Sequence, residues 1–93
     1  MGKFRLKIEK LAESHLEKHF KAGNKASIKK INQILYDLSE TPYQGVGKPE
    51  ALEYGLSGFW SREINFKDRI IYKVEEDIVT VFVISAMGHY SDK

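Results

Sequence analysis

Apolar residues along this chain change their spacing twice, and the changes mark out its elements. Phe4, Leu6 and Ile8 alternate with Arg5, Lys7 and Glu9, the two-residue rhythm of a half-buried strand. From about Lys10 the spacing becomes helical, with Leu11, Leu16 and Phe20 as the apolar positions and Ala12 between them. Ala22-Gly23-Asn24 breaks that helix, and Asn24 carries a short polar side chain suited to capping a second one. In the second helix Ile28, Ile31, Leu35 and Leu38 recur at three- and four-residue steps, and Ile34 widens the stripe. Thr41-Pro42 cannot continue it, so it ends near Ser39. A single stripe on one helix fits a domain core better than a coiled coil.

The second half reads differently. Residues 42–51 hold two glycines and two prolines, which predicts a loop with few backbone hydrogen bonds. A short strand around Leu52–Tyr54 and a turn from Gly55 to Gly58 follow. Phe59–Phe66, Arg69–Glu75 and Ile78–Ser85 are rich in β-branched and aromatic residues, with Lys67-Asp68 and Glu76-Asp77 as tight turns between them. The fold class predicted is therefore α+β over one domain, residues 1–93. Two N-terminal helices cover one face of a mostly antiparallel sheet, in the order β-α-α-β-β-β-β.

Composition narrows the chemistry. The 93 residues include no cysteine, which excludes a disulfide framework, a thiol nucleophile and a thiolate metal site, and fits a cytoplasmic location. The N-terminus MGKFRLKIEK lacks the apolar core of a secretory signal. The apolar stretch from Ile78 to Met87 is too short for a membrane span, so no membrane partner is expected. Net charge is +2 but unevenly spread: residues 1–40 hold nine Lys/Arg against five Asp/Glu, and residues 41–93 hold six against eight. A basic N-terminal half suits a polyanion or an acidic partner segment, and equally a solvated lysine-rich helix.

The segment GVGKPEALEYGLSGFWSR, from Gly45 to Arg62, together with Arg69 and His89-Tyr90, holds the residues with reactive chemistry. Metal-free RNA cleavage by the 2′-hydroxyl needs a base for that proton, a cation for the phosphorane and an acid for the leaving oxygen. Glu50 is a candidate base, held behind Lys48-Pro49. Arg69 offers a fixed fork of donors for phosphate oxygens. His89 is a candidate acid, and Tyr90 combines a π face with a hydroxyl donor. Lys48 and Arg62 are candidates for RNA contact. Strand alternation puts Trp60, Arg62 and Ile64 on one face, which favours a structural role for Arg62 over phosphate binding. His15 and His19 stand at i, i+4 on the first helix without a third ligand, so a half-buried helix face is favoured over a metal site. No metal or other cofactor is expected.

The GxGKPExL, LSGxWSR and terminal His-Tyr motifs, with KKINQIL in the second helix, resemble the Txe/YoeB group of the RelE/ParE superfamily. Its members are mRNA interferases of bacterial type II toxin–antitoxin pairs. The resemblance covers nearly the whole chain, most densely from Pro42 to Tyr90. It implies the RelE-like fold and a ribosome-associated endoribonuclease. It also implies Glu50 as base, Arg69 as the phosphate-contacting arginine, His89 as acid and Tyr90 as a positioning ring. The implied partners are mRNA, the ribosome and a cognate antitoxin with a flexible acidic segment; a homodimer is a further implication. Three positions depart from the family pattern: Glu53 and Glu63 stand where cations are usual, and Asp68 where a histidine often precedes the strand arginine. Two rival readings follow: a non-enzymatic ParE-like toxin, or a catalytically degenerate antitoxin-binding co-repressor.

Overall fold

The computed structural model describes residues 3–53 and 58–88. Strand β1 (Arg5–Ile8) leads into helix α1 (Lys10–Ala22) and helix α2 (Lys25–Glu40). Between the helices Gly23 takes a left-handed φ of 75°, and its N–H reaches back to the His19 carbonyl. Asn24 caps α2 as its side chain predicts, accepting the Ser27 N–H at 3.0 Å. Asn24→Ala is expected to lower stability by about 1 kcal/mol, and Asn24→Ser to restore most of it, in urea unfolding with unchanged m.

The helices pack on a mixed five-stranded sheet of order β1-β5-β4-β3-β2, formed with β2 (Glu50–Ala51), β3 (Phe59–Glu63), β4 (Arg69–Glu75) and β5 (Thr80–Ser85). Strands β2 to β5 pair antiparallel and β1 joins β5 in parallel, while α1 and α2 carry the chain from β1 at one edge of the sheet to β2 at the other. The element order is the one the spacing predicts. The boundaries shift where side-chain hydrogen bonds override propensity. Strand β3 stops at Glu63 instead of Phe66, because the Asn65 side chain accepts the N–H groups of Lys67 and Asp68, each at 2.8 Å, and closes the turn early. A single 3₁₀ turn, Glu76–Ile78, delays β5 to Thr80. The short second strand lies at Glu50–Ala51, just before the predicted Leu52–Tyr54; Tyr54 is outside the described residues.

Ala12 and Leu16 of α1 and Ile31, Ile34 and Leu38 of α2 meet Ile64, Ile70, Tyr72, Val81, Val83 and Ala86 in one core. Ile34 is fully buried within the stripe. On α1 the expectation fails at both ends: Leu11 is 55% and Phe20 46% exposed, while His19 takes the buried position. The buried face of α1 is thus Ala12, Leu16 and His19. Strand alternation sends Trp60, Arg62, Tyr72 and Val74 toward the helices and Ser61, Glu63, Arg69 and Ile71 to the opposite face.

Candidate active site

The loop that presents Glu50 is built around a buried guanidinium. Arg62 is 0% exposed. Its Nε donates to the Tyr72 hydroxyl at 3.2 Å, and Nη1 reaches the Val46 carbonyl at 3.2 Å and Asp37 Oδ2 at 3.4 Å. Nη2 donates to the carbonyls of Thr41 and Gln44 at 2.8 and 3.0 Å. All five donors of the fork therefore act inside the protein. Asp37 completes the knot by accepting the Val46 N–H at 2.9 Å, and the Tyr72 hydroxyl donates to the Pro42 carbonyl at 2.7 Å. Burial pushes the Tyr72 phenol above its ordinary pKa, with the Arg62 hydrogen bond opposing that shift.

This packing explains the two glycines ahead of Lys48. A Cβ at Gly45 would overlap the Asp37 carboxylate, and one at Gly47 would crowd Arg62 Cβ and the Glu63 carbonyl, both at 3.1 Å. The Gly47 carbonyl then accepts the Glu63 N–H at 2.7 Å, which fixes the loop to β3. Lys48 follows in the left-handed region at φ 51°, an unfavourable conformation for a side-chain-bearing residue. Tyr43 braces the outer side of the loop. Its ring lies 5.2 Å from that of Trp60, and its hydroxyl donates to Glu76 at 2.6 Å, a bond that raises the phenol pKa to about 12.

Beyond this loop β2 pairs with β3, placing Glu50 opposite Ser61. Glu50 Oε1 lies 3.5 Å from Arg69 Nη1, and the same nitrogen donates to Ser61 Oγ at 3.4 Å. Glu50 is 66% exposed, so the pair stands open to a ligand. Arg69 therefore bridges to Glu50, and not to Glu63, the partner a simple cross-strand pair would give it. Lys48 is 88% exposed, and Glu63 Oε1 lies 4.0 Å from its Nζ. A pair of that exposure contributes at most about 1 kcal/mol, so an incoming phosphate can compete for the ammonium.

Two of the four sequence-predicted catalytic residues, Glu50 and Arg69, are brought together. His89 and Tyr90 lie outside the described residues. The backbone leading to them starts beside Arg69, whose N–H donates to the Gly88 carbonyl at 2.9 Å. The Gly88 N–H donates to Asp68 Oδ1 at 2.8 Å. Lys48 is exposed as an RNA contact requires. Arg62 as an RNA-contacting residue is corrected: it is fully enclosed and its donors are occupied, which is the structural role that strand alternation favoured. Alternation alone missed Asp37, 25 residues upstream, whose pairing with Arg62 has no local signal.

His15 and His19 acquire a use that their spacing did not reveal. The Ala86 N–H donates to His15 Nδ1 at 3.0 Å, and His19 Nε2 donates to the Ala86 carbonyl at 2.8 Å. Among the described residues no group of three or more His, Cys, Asp or Glu side chains is placed to hold a metal. No helix among them is long and apolar enough to cross a membrane.

The family described as YoeB-like toxin of bacterial type II toxin-antitoxin system matches residues 10–90. Toxin YoeB of Escherichia coli O6:H1 is 40% identical over 72 residues, spanning 77% of this chain and 83% of that protein. A Staphylococcus aureus YoeB dimer superposes with a TM-score of 0.78 at 30% identity, covering 95% of this chain and 99% of the other. The YoeB-YefM complex from the same species gives 0.75 at 32% identity, with 94% and 98% covered. Two helices packed on a mixed five-stranded sheet are the fold of the YoeB/RelE-type toxins. More particularly, the chain belongs to the YoeB-like toxins of bacterial type II toxin–antitoxin systems.

Proposed function

We propose that this toxin is an endoribonuclease that cuts mRNA by metal-independent acid–base catalysis, acting on the ribosome. The observation that carries the reading is the exposed Glu50 carboxylate 3.5 Å from the Arg69 guanidinium, on the sheet face away from the helices. Glu50 takes the proton of the 2′-hydroxyl, and the freed oxygen attacks the adjacent phosphorus. Arg69 turns its fork to the non-bridging oxygens as charge accumulates on the phosphorane. His89 gives a proton to the departing 5′-oxygen, Tyr90 positions the base or phosphate, and Lys48 holds a neighbouring phosphate. The products are a 2′,3′-cyclic phosphate and a 5′-hydroxyl.

The test is cleavage of an RNA oligonucleotide and of mRNA on translating ribosomes, with the ends of the fragments identified. Cyclic phosphate ends, and a rate on free RNA unchanged by EDTA, are expected. Cleavage abolished by EDTA and restored by Mg²⁺ would refute the mechanism. A second reading, a degenerate co-repressor, draws on Glu63, whose carboxylate faces Lys48 where the family has a cation. Growth unaffected by overexpression, with no RNA cut on or off the ribosome, would establish it instead. In either case the partner is an antitoxin whose acidic segment covers the site; the YefM-bound relative supports that assembly, and the dimeric relative supports a homodimer.

A further inference from the structure

Strand β5 ends at Ser85, yet Ala86 and Gly88 beyond it have hydrogen-bond partners for both their backbone N–H and C=O groups. Ala86 is 0% exposed, and among the described residues no strand partner takes its polar groups. Two histidines do so instead, His15 accepting its N–H at 3.0 Å and His19 donating to its carbonyl at 2.8 Å. Two residues further on, Gly88 is held at both ends by Asp68 Oδ1 (2.8 Å) and the Arg69 N–H (2.9 Å). His19 and Asp68 are themselves buried. Buried backbone groups need partners, and here α1 and the β3–β4 turn supply them from opposite sides.

We propose that His15, His19 and Asp68 are positioning residues that clamp Ala86–Gly88 and so fix the point from which His89 and Tyr90 depart. The use made of that tail rests on the ribonuclease reading; the clamp itself does not. The i, i+4 spacing of the histidines puts both on the same face of α1, over the two peptide groups that flank the Ala86 Cα. Their demands differ. A carbonyl only accepts, so the His19 bond requires the proton on Nε2. His15 accepts an N–H at Nδ1, so protonation there would set donor against donor.

The clamp is therefore acid-sensitive through His15. The groups facing it are Lys18 and His19 on α1 and Asp68 from the turn. Burial first, then the charges of Lys18 and His19, lower its pKa below the ordinary 6.5, and Asp68 opposes them. A lowered value means that the stabilisation is complete above about pH 6.5 and is lost as pH falls through the shifted value.

The decisive experiment is amide hydrogen exchange of Ala86 and Gly88 in the intact protein, measured across pH alongside RNA cleavage. After correction for intrinsic exchange, protection of Ala86 should collapse on the acid side of neutrality while core amides such as Val83 keep theirs. His15→Asn, which retains an acceptor near Nδ1 but does not titrate, should keep protection and flatten that acid limb. His15→Phe should lose protection at every pH and lower kcat about tenfold or more with KM little changed, since displaced catalytic groups react slowly. Asp68→Asn, which keeps the Oδ1 acceptor but not the charge, should keep Gly88 protected and move the acid loss of Ala86 protection to lower pH, and Asp68→Ala should free the Gly88 amide. Ala86 protection that is independent of pH and unchanged in His15→Phe would overturn the clamp. The expected exchange pattern in a protein that cuts no RNA would uphold the clamp and overturn the ribonuclease reading.

Discussion

Arg69→Ala is expected to lower RNA cleavage by about 10²–10³-fold, the usual loss when a preorganised donor to a developing oxyanion is removed. The protein should remain folded. Only the Arg69 side chain changes, and its exposed ion pair with Glu50 contributes at most about 1 kcal/mol. The Arg69 N–H that holds the Gly88 carbonyl at 2.9 Å belongs to the backbone and survives the substitution. The variant thus separates charge stabilisation from tail docking. Arg69→Lys should recover part of the rate, because an ammonium supplies charge without the two-pronged fit to phosphate. Glu50→Gln should lose rate on a comparable or larger scale, about 10²–10⁴-fold, as expected for a missing general base. Single-turnover rates on one RNA, with growth of expressing cells as a second measure, decide the matter. Arg69→Ala and Glu50→Gln that cleave like the wild type and arrest growth equally would remove the pair from the reaction and favour a toxin acting through protein contacts alone.

Arg62→Ala is expected to do something different: to destabilise the whole domain by about 3–5 kcal/mol, the scale for removing one member of a buried charged network. The carbonyls of Thr41, Gln44 and Val46 and the Asp37 carboxylate would all lose a donor. A domain of this size has only about 5–15 kcal/mol in total, so the variant should be marginal at growth temperature. Its Tm should fall by about 4–8 °C for each kcal/mol lost. Arg62→Lys should fall in between, because one ammonium cannot replace a planar fork with five donors. Urea unfolding followed by circular dichroism measures both. Should Arg62→Lys melt like the wild type and show only a raised KM for RNA, Arg62 would be a binding residue after all and the buried network would not matter.

These two arginines show how far the residue pattern reached. Arg62 stands in the LSGxWSR motif and Arg69 matches a family arginine further on, and period-two alternation placed Arg62 on one face with Trp60 and Ile64. It favoured a structural Arg62, whereas the phosphate-contacting role of Arg69 was what the resemblance implied. What alternation cannot supply is the identity of partners distant in sequence. Asp37, Thr41 and Gln44 meet Arg62 only because α2 ends over β3. Glu50 meets Arg69 only because β2 pairs with β3 opposite Ser61. The exposed Leu11 and Phe20 show the same limit on a helix. The three- and four-residue steps locate a stripe, but which part of it faces the sheet depends on how the helix rotates, and here His19 is turned inward by its bond to Ala86. Side-chain chemistry in turns was harder still to read: Asn65 ends β3 three residues before the aromatic run ends, by capturing two backbone N–H groups.

The sequence by itself determined the element order, the α+β class, the capped start of α2 and the family. Each rests on interactions between residues close along the chain, or on motif identity. The tertiary structure alone decided that Arg62 organises the Glu50 loop, that Glu50 pairs with Arg69, and that two histidines of α1 hold the root of the C-terminal segment. Those are contacts across 16 to 71 positions of separation, fixed by strand register and helix rotation, which local spacing does not encode.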